Sequence, residues 1–224
     1  MGMGAGRLSG VGVFDFDGTL VDTLGEITSA LNRVLVRHGR RGLSEAEVKI
    51  LVGRGPQTLL HRAWGATGKS AEGREVGGLT EEYFAEYGRT SGGMSRPYVG
   101  VDDGLRRLAQ RGWRLGICTN KDGATVRKLV RNLGWDRWIR VVVSGEDSVR
   151  KPDARPLLLA LSRLKAGRGR HLFVGDSGVD RETARRAGVE GVFVGYGYGE
   201  RDGTEERYFG AAVELLSWMG RAGP

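Results

Sequence analysis

Short apolar runs that end in polar residues constrain the fold of this chain most. Five such runs occur, at 11–16, 114–120, 141–145, 171–176 and 191–197. Continuous apolar runs of this length are typical of strands that are buried on both faces of a parallel sheet. Helical patterns separate the last four runs, at 122–133, 154–164 and 179–187. This alternation predicts an α/β fold with a Rossmann-like, doubly wound, mainly parallel sheet and flanking helices.

The helical patterns also predict which side chains pack against the sheet. One face of the first helix carries Val126, Leu129, Val130 and Leu133, and one face of the second carries Leu157, Leu158, Leu161 and Leu164. Apolar residues at this spacing form the buried stripe of an amphipathic helix. Asp122 is a predicted N-cap of the first helix, and Gly188 is predicted to end the third.

The stretch from 22 to 96 differs from the rest because it contains no convincing strand pattern. Four helices are predicted there. Ser44 and Glu47 form a capping-box pattern at the start of the second, and Pro56 suits the first turn of the third. We therefore predict three segments, a first core segment at 1–21, an inserted small α-helical domain at 22–96 and a second core segment at 97–224.

Composition excludes several classes of protein. The chain has 224 residues and a single cysteine, Cys118, so an internal disulfide and a cysteine-built zinc site are both excluded. It has no apolar run of about 18 residues, and its first ten residues lack the apolar stretch of a secretory signal. We expect a soluble, cytoplasmic protein with no membrane partner, as a monomer or a homodimer.

The net charge of +8 raises the alternative of a basic, non-enzymatic nucleic-acid-binding protein. The 35 Lys and Arg residues are distributed among 27 Asp and Glu residues, with no block of five basic residues. This distribution favours a solvated surface with an arginine bias. We therefore expect no nucleic-acid partner.

Four of the predicted strands end beside side chains that suit phosphate and metal chemistry. These residues are Asp15 and Asp17 after the first strand, Thr119 and Asn120 after the second, Lys151 after the third, and Asp176 with Asp180 after the fourth. In open parallel sheets, ligands bind at the carboxyl ends of the strands. We therefore expect these side chains to converge at one edge of the sheet.

The residue types at this edge favour phosphoryl transfer. Asp15, Asp17 and Asp176 would repel a phosphate dianion unless a cation offset their charge. Oxygen ligands favour Mg²⁺ for that role. One carboxylate can then attack phosphorus, and a second can protonate the leaving oxygen and activate water. Thr119 and Asn120 can donate hydrogen bonds to the phosphoryl oxygens.

The motifs DFDGTLVDT, CTNK, RKPDARP and GDSGVDRETARRAG follow one another along the chain. In that order they resemble the four motifs of the haloacid dehalogenase superfamily of phosphatases. The resemblance spans residues 11–188 and identifies the insertion at 22–96 with the helical cap of that superfamily.

The resemblance implies a role for each motif residue. Asp15 would be the nucleophile, and Asp17 would be the general acid and base. Thr119 and Lys151 would bind the phosphoryl group, with Asn120 beside them. Mg²⁺ would be held by Asp15, the main-chain carbonyl of Asp17, and Asp176. Asp180 would support the metal site or Lys151.

Within the superfamily, the chain is similar to phosphoglycolate phosphatases. The similarity lies in VGRG at 52–55, GATG at 65–68, SRPYVGV at 95–101, TNK at 119–121 and GYGYGE at 195–200. It implies a small phosphorylated metabolite as substrate, with 2-phosphoglycolate favoured. Pyrophosphatases, nucleotidases and sugar-phosphate phosphatases share several of these segments and remain alternatives. A phosphomutase of the same fold is a further alternative.

Arg54 is a candidate specificity residue of the predicted cap. It lies between Gly53 and Gly55 on a loop that could fold over the active site. A guanidinium there could pair with a substrate carboxylate through two hydrogen bonds. The alternative is a solvated loop arginine.

Overall fold

The computed structural model describes residues 10–68, 74–90, 93–200, 203 and 207–222. Its strands are β1 (Val11–Phe14), β2 (Val21–Asp22), β3 (Arg96–Pro97), β4 (Arg114–Cys118), β5 (Ile139–Val143), β6 (His171–Gly175), β7 (Glu190–Val194) and β8 (Tyr208–Phe209). Its helices are α1 (Leu24–Arg37), α2 (Glu45–Lys49), α3 (Pro56–Ala66), α4 (Arg74–Thr90), α5 (Val101–Gln110), α6 (Gly123–Asn132), α7 (Arg155–Arg163), α8 (Gly178–Ala187) and α9 (Ala212–Ala222). Residues 1–9, 201–202, 204–206 and 223–224 of the predicted core segments, and residues 69–73 and 91–92 of the predicted insertion, lie outside the described residues.

Within the described chain, six strands form one sheet in the order β5-β4-β1-β6-β7-β8, and every neighbouring pair is parallel. The predicted α/β fold with a mainly parallel sheet and flanking helices is confirmed. All five predicted strands are present, and β8 is an additional short strand at one edge. The predicted runs extend two or three residues beyond β1 and β7, because the chain leaves the hydrogen-bonded ladder before the apolar run ends.

The central strand β1 explains why the first motif lies at the middle of the sheet. It pairs with β4 on one side and β6 on the other, so Val11 is opposite both Arg114 and His171. Its side chains alternate between two apolar clusters, with Phe14 in one and Val13 in the other. This period of two buries both faces of the strand and fixes its register.

Helices cover both faces of the sheet. Side chains of α5, α6 and α9 join the cluster that contains Phe14, whereas α7 and α8 contribute to the cluster that contains Val13. Asp122 caps α6 by accepting a hydrogen bond from Thr125 N at 2.8 Å, as predicted. The prediction for Leu158 is wrong: its side chain is 46% exposed, because the buried stripe of α7 passes through Leu157 and Leu161 instead.

The chain leaves the six-stranded sheet after β1, passes through β2, forms α1 to α4, and returns through β3. The strands β2 and β3 pair antiparallel, with Asp22 opposite Arg96, so the two crossings lie side by side. The four helices enclose an apolar cluster of their own, which includes Leu31, Leu60 and Tyr87. This arrangement agrees with an inserted helical module at 22–96, and the domain limits themselves remain a prediction. None of the described helices is long and apolar enough to cross a membrane.

A buried carboxylate connects the segment that leads into β3 to the inserted helices. Glu26 of α1 is fully buried and accepts hydrogen bonds from Met94 N at 2.9 Å and Ser95 N at 3.1 Å. The Ser95 and Tyr87 hydroxyls also donate to it, at 2.6 Å and 3.2 Å. Glu26 therefore links α1, α4 and the segment that leads into β3.

Candidate active site

The first strand delivers Asp15 to the carboxyl edge of the sheet, where Asp15 N donates to Val174 O at 2.8 Å. Its Oδ1 accepts a hydrogen bond from Phe16 N at 2.7 Å and lies 2.9 Å from Lys151 Nζ. The same Lys151 Nζ lies 2.6 Å from Asp180 Oδ1. The predicted first, third and fourth motifs therefore meet around one buried ammonium group.

A cluster of three buried carboxylates surrounds this point. Asp15, Asp176 and Asp180 each place an oxygen within 4.8 Å of the other two. Asp180 uses both of its oxygens inside the protein, because its Oδ2 also accepts from Ser177 N at 3.1 Å and from Ser177 Oγ at 2.6 Å. It therefore supports Lys151 and the start of α8, while Asp15 and Asp176 carry the charge that a metal ion would meet.

The electrostatics of the cluster show an excess of negative charge. Burial, followed by the charges of Asp180 and Asp15, raises the pKa of Asp176 to about 7. Burial also raises the pKa of Asp15 to about 6, although Lys151 acts in the opposite direction. Burial would lower the pKa of Lys151, but the two aspartates paired with it raise it above its ordinary value. A hard divalent cation would offset this charge, and the all-oxygen donor set fits Mg²⁺.

The Asp17 carboxylate contacts different groups from those that the Asp15 carboxylate contacts. Its Oδ1 accepts a hydrogen bond from Thr23 Oγ1 at 2.7 Å and lies 3.0 Å from Lys121 Nζ. Its carboxylate is outside the cluster of three acids, so its predicted contribution to the metal would come through its main-chain carbonyl. The Asp17 carboxylate thus lies on the side of the site that faces the inserted helices.

Thr119 and Asn120 lie at the end of β4, as predicted, but in this structure their side chains form hydrogen bonds with other groups of the protein. The Asn120 side chain donates to Lys151 O and to Gly53 O, both at 3.0 Å, and accepts from Lys151 N at 2.8 Å. These bonds brace the Lys151 main chain against β4 and against a loop of the inserted helices. The buried Thr119 Oγ1 accepts from Lys121 N at 3.3 Å. Phosphate binding by either residue remains a prediction.

A loop that sequence reasoning left without a role holds Asp176. Tyr198 N and Gly199 N donate to Asp176 Oδ2 at 2.5 Å and 3.3 Å. The Tyr198 hydroxyl accepts from Thr23 N at 2.6 Å and bonds to Asp22 Oδ1 at 3.0 Å. The GYGYGE segment therefore connects the acidic cluster to the first crossing between the sheet and the inserted helices. The alternating glycines after the last long strand are the sequence signal that could have indicated this close approach.

Two spaces adjoin Asp15 and Asp17. One is a cavity of about 50 Å³ that is lined mainly by apolar and aromatic residues of the inserted helices, together with Thr119, Asn120, Lys121 and Asp122. The other is a cleft of about 340 Å³ that also contacts Asp176 and Tyr198. Lys121 was given no role from the sequence. Burial would lower its pKa, but Asp17, followed by Tyr87 and Tyr83, raises it well above its ordinary value.

The structure does not bring Arg54 into either space. Its side chain is exposed, and the neighbouring Gly53 and Gly55 line the small cavity instead. A substrate contact by Arg54 therefore remains a prediction without geometric support.

The chain is similar to a known family of hydrolases. The family model for haloacid dehalogenase-like hydrolases matches residues 13–194. The chain belongs to this family. A phosphoglycolate phosphatase from Rhodospirillum rubrum is 39% identical over 191 residues, which cover 83% of this chain and 79% of the relative. An N-acetylmuramic acid 6-phosphate phosphatase from Pseudomonas aeruginosa is 34% identical over 193 residues, which cover 86% and 84%.

A solved structure extends the similarity to almost the full length. The crystal structure of a predicted phosphoglycolate phosphatase from Haemophilus somnus superposes with a TM-score of 0.86 at 26% identity. The match covers 96% of this chain and 99% of the other. The resemblance to haloacid dehalogenase phosphatases is therefore confirmed, as is the prediction of an enzyme of this class.

Proposed function

We propose that this chain is a Mg²⁺-dependent phosphomonoester hydrolase that forms an aspartyl-phosphate on Asp15 and acts on 2-phosphoglycolate. The observation that carries the proposal is that the two aspartates of the first motif have different partners. Asp15 shares Lys151 with Asp180 and lies beside Asp176, whereas Asp17 contacts Thr23 and Lys121, and both carboxylates line the small cavity. The nucleophile and the acid are thus two residues apart in sequence and are held by different groups at one phosphoryl site.

The residues take part in two displacement steps. A carboxylate oxygen of Asp15 forms a bond to phosphorus as the bond to the leaving oxygen breaks, and Asp17 gives that oxygen its proton. Asp17 then takes a proton from the water that attacks phosphorus, and the phosphate departs from Asp15. Lys151 and Thr119 bind the phosphoryl oxygens throughout.

Asp15, Asp176 and the main-chain carbonyl of Asp17 would hold the metal. A bound Mg²⁺ ion would neutralise charge on the carboxylates and on the phosphoryl group. Asp180 and the loop at 195–199 keep this set in place, through Lys151 and Asp176 respectively.

We further propose that residues 22–96 act as a cap. The paired crossings at Asp22 and Arg96 would be the hinge. Closure would seal the cavity from bulk water, which strengthens the electrostatic contacts within it.

The relatives leave a second substrate class open. The phosphatase from Pseudomonas aeruginosa is named for a sugar phosphate. Several relatives that are 33–39% identical over most of the chain are named phosphoglycolate phosphatases. This favours 2-phosphoglycolate over the sugar phosphates.

The test is phosphate release from a panel of substrates by the purified chain with Mg²⁺. The panel contains 2-phosphoglycolate, pyrophosphate, a nucleoside monophosphate, glucose 6-phosphate and N-acetylmuramic acid 6-phosphate. We expect the highest kcat/KM with 2-phosphoglycolate, and no turnover by Asp15→Asn or in EDTA. A preference for another member would reject the substrate, and a fully active Asp15→Asn variant would reject the mechanism.

A further inference from the structure

Lys121 is a buried cation that the steps above do not use. Its side chain is 7% exposed, and its Nζ lies 3.0 Å from Asp17 Oδ1 and 3.3 Å from Asp17 Oδ2. It also lies 4.4 Å from the centroid of the Tyr87 ring. The ammonium is therefore held between the end of β4 and helix α4 of the insertion.

The surroundings of Lys121 suit one kind of ligand group. Among the residues that line the small cavity, it is the sole cation, and the other charged members are Asp15, Asp17 and Asp122. Leu59 of α3, Phe84 of α4 and Val52 of the loop between α2 and α3 contribute apolar side chains there. Asp17 is one anionic partner of this ammonium, and a second anion that enters the apolar wall would pair with it strongly, because charge pairing is strengthened where water is excluded.

We propose that Lys121 determines specificity by binding a carboxylate that is one carbon away from the leaving oxygen. The proposal rests on the proposed function, in which Asp17 donates a proton to that oxygen. Lys121 Nζ is within 3.3 Å of both Asp17 oxygens. A leaving oxygen hydrogen-bonded to Asp17 therefore places a carboxylate on the adjacent carbon within reach of Lys121. An ammonium has three N–H donors, so it can serve Asp17 and a substrate carboxylate together.

The geometry also predicts what the site rejects. A neutral hydroxyl in place of the carboxylate would lose its hydration without pairing the cation, so it would bind less well. The site thus selects substrates by the charge of the leaving group.

The experiment compares two phosphate esters of similar size, 2-phosphoglycolate and 2-hydroxyethyl phosphate. The measured quantity is the ratio of their kcat/KM values in the wild type and in Lys121→Met. We expect the wild type to prefer 2-phosphoglycolate and the variant to lose roughly 10- to 100-fold of that preference, the range for a charged hydrogen bond. Lys128→Met, at an exposed position on α6, is the matched control and should keep the wild-type ratio.

The ratio separates this proposal from a purely structural role. Loss of Lys121 also removes a partner of Asp17, which would slow both esters and leave the ratio unchanged. An unchanged ratio in a folded variant would therefore overturn the proposal, with Lys121→Gln used if the Met variant does not fold. Absence of wild-type turnover with either ester would reject the proposed function instead.

Discussion

The replacement of Gly199 by alanine tests whether the glycine loop holds Asp176 in place. A Cβ at Gly199 would lie 2.2 Å from Asp176 O and 2.7 Å from Ser177 Cα. Both are main-chain atoms between β6 and α8, so they cannot rotate away as a flexible side chain would. The loop must move instead, and with it the N–H groups that donate to Asp176 Oδ2.

The expected cost follows from these contacts. Overpacking of this kind costs about 1–3 kcal/mol, and weakening a hydrogen bond to a charged group adds a comparable amount. We expect the free energy of unfolding to fall by about 3 kcal/mol, which lowers the melting temperature by roughly 6–12 °C in a chain of this size. We also expect the Kd for Mg²⁺ to rise roughly tenfold, as for other groups that orient a metal ligand.

Thermal melts followed by circular dichroism in EDTA, and calorimetric titration with Mg²⁺, measure the two effects. Gly210→Ala is the control, because a Cβ at that exposed position meets nothing within 4 Å. If Gly199→Ala matched this control in both melting temperature and Mg²⁺ affinity, the loop would not be what positions Asp176.

Three further predictions follow from buried charges. Lys151→Met should lower the free energy of unfolding by about 3 kcal/mol in urea, because Asp15 and Asp180 lose their shared cation; an unchanged midpoint would contradict this. Asp176 has a raised folded pKa of about 7, so its ionisation lowers stability as the pH rises from about 4 to about 7. Asp176→Asn should therefore raise the melting temperature of the metal-free protein by clearly more at about pH 8 than at about pH 5, and equal shifts would refute the reasoning. Glu26→Leu should lower the free energy of unfolding in urea by about 2–4 kcal/mol, because Met94 N and Ser95 N lose their acceptor. Wild-type stability of this variant would show that Glu26 does not stabilise the segment before β3.

The sequence predicted most of the site because the relevant signals are local. A polar residue directly after an apolar run marks the end of a strand, and parallel strands end at one edge. Asp15 and Asp176 directly follow such runs, and Lys151 and Asp180 come a few residues after theirs. The structure brings all four together.

What could not be predicted depends on contacts between distant parts of the chain. The Lys121 ammonium contacts the ring of Tyr87, which lies 34 residues earlier on α4, and no local pattern indicates this contact. The side-chain amide of Asn120 forms hydrogen bonds with the main chains of Lys151 and Gly53, and only folding brings these residues within reach. Arg54 illustrates the converse, because a position between two glycines does not fix the direction of a side chain.

The central claim, that Asp15 carries the phosphoryl group, can be tested by trapping the intermediate. The protein is mixed with Mg²⁺ and radiolabelled 2-phosphoglycolate, quenched in acid within a single turnover, and digested. We predict label on the peptide that contains Asp15, and none on the same peptide from Asp15→Asn. Label on a different peptide, or turnover without any labelled protein, would contradict the account.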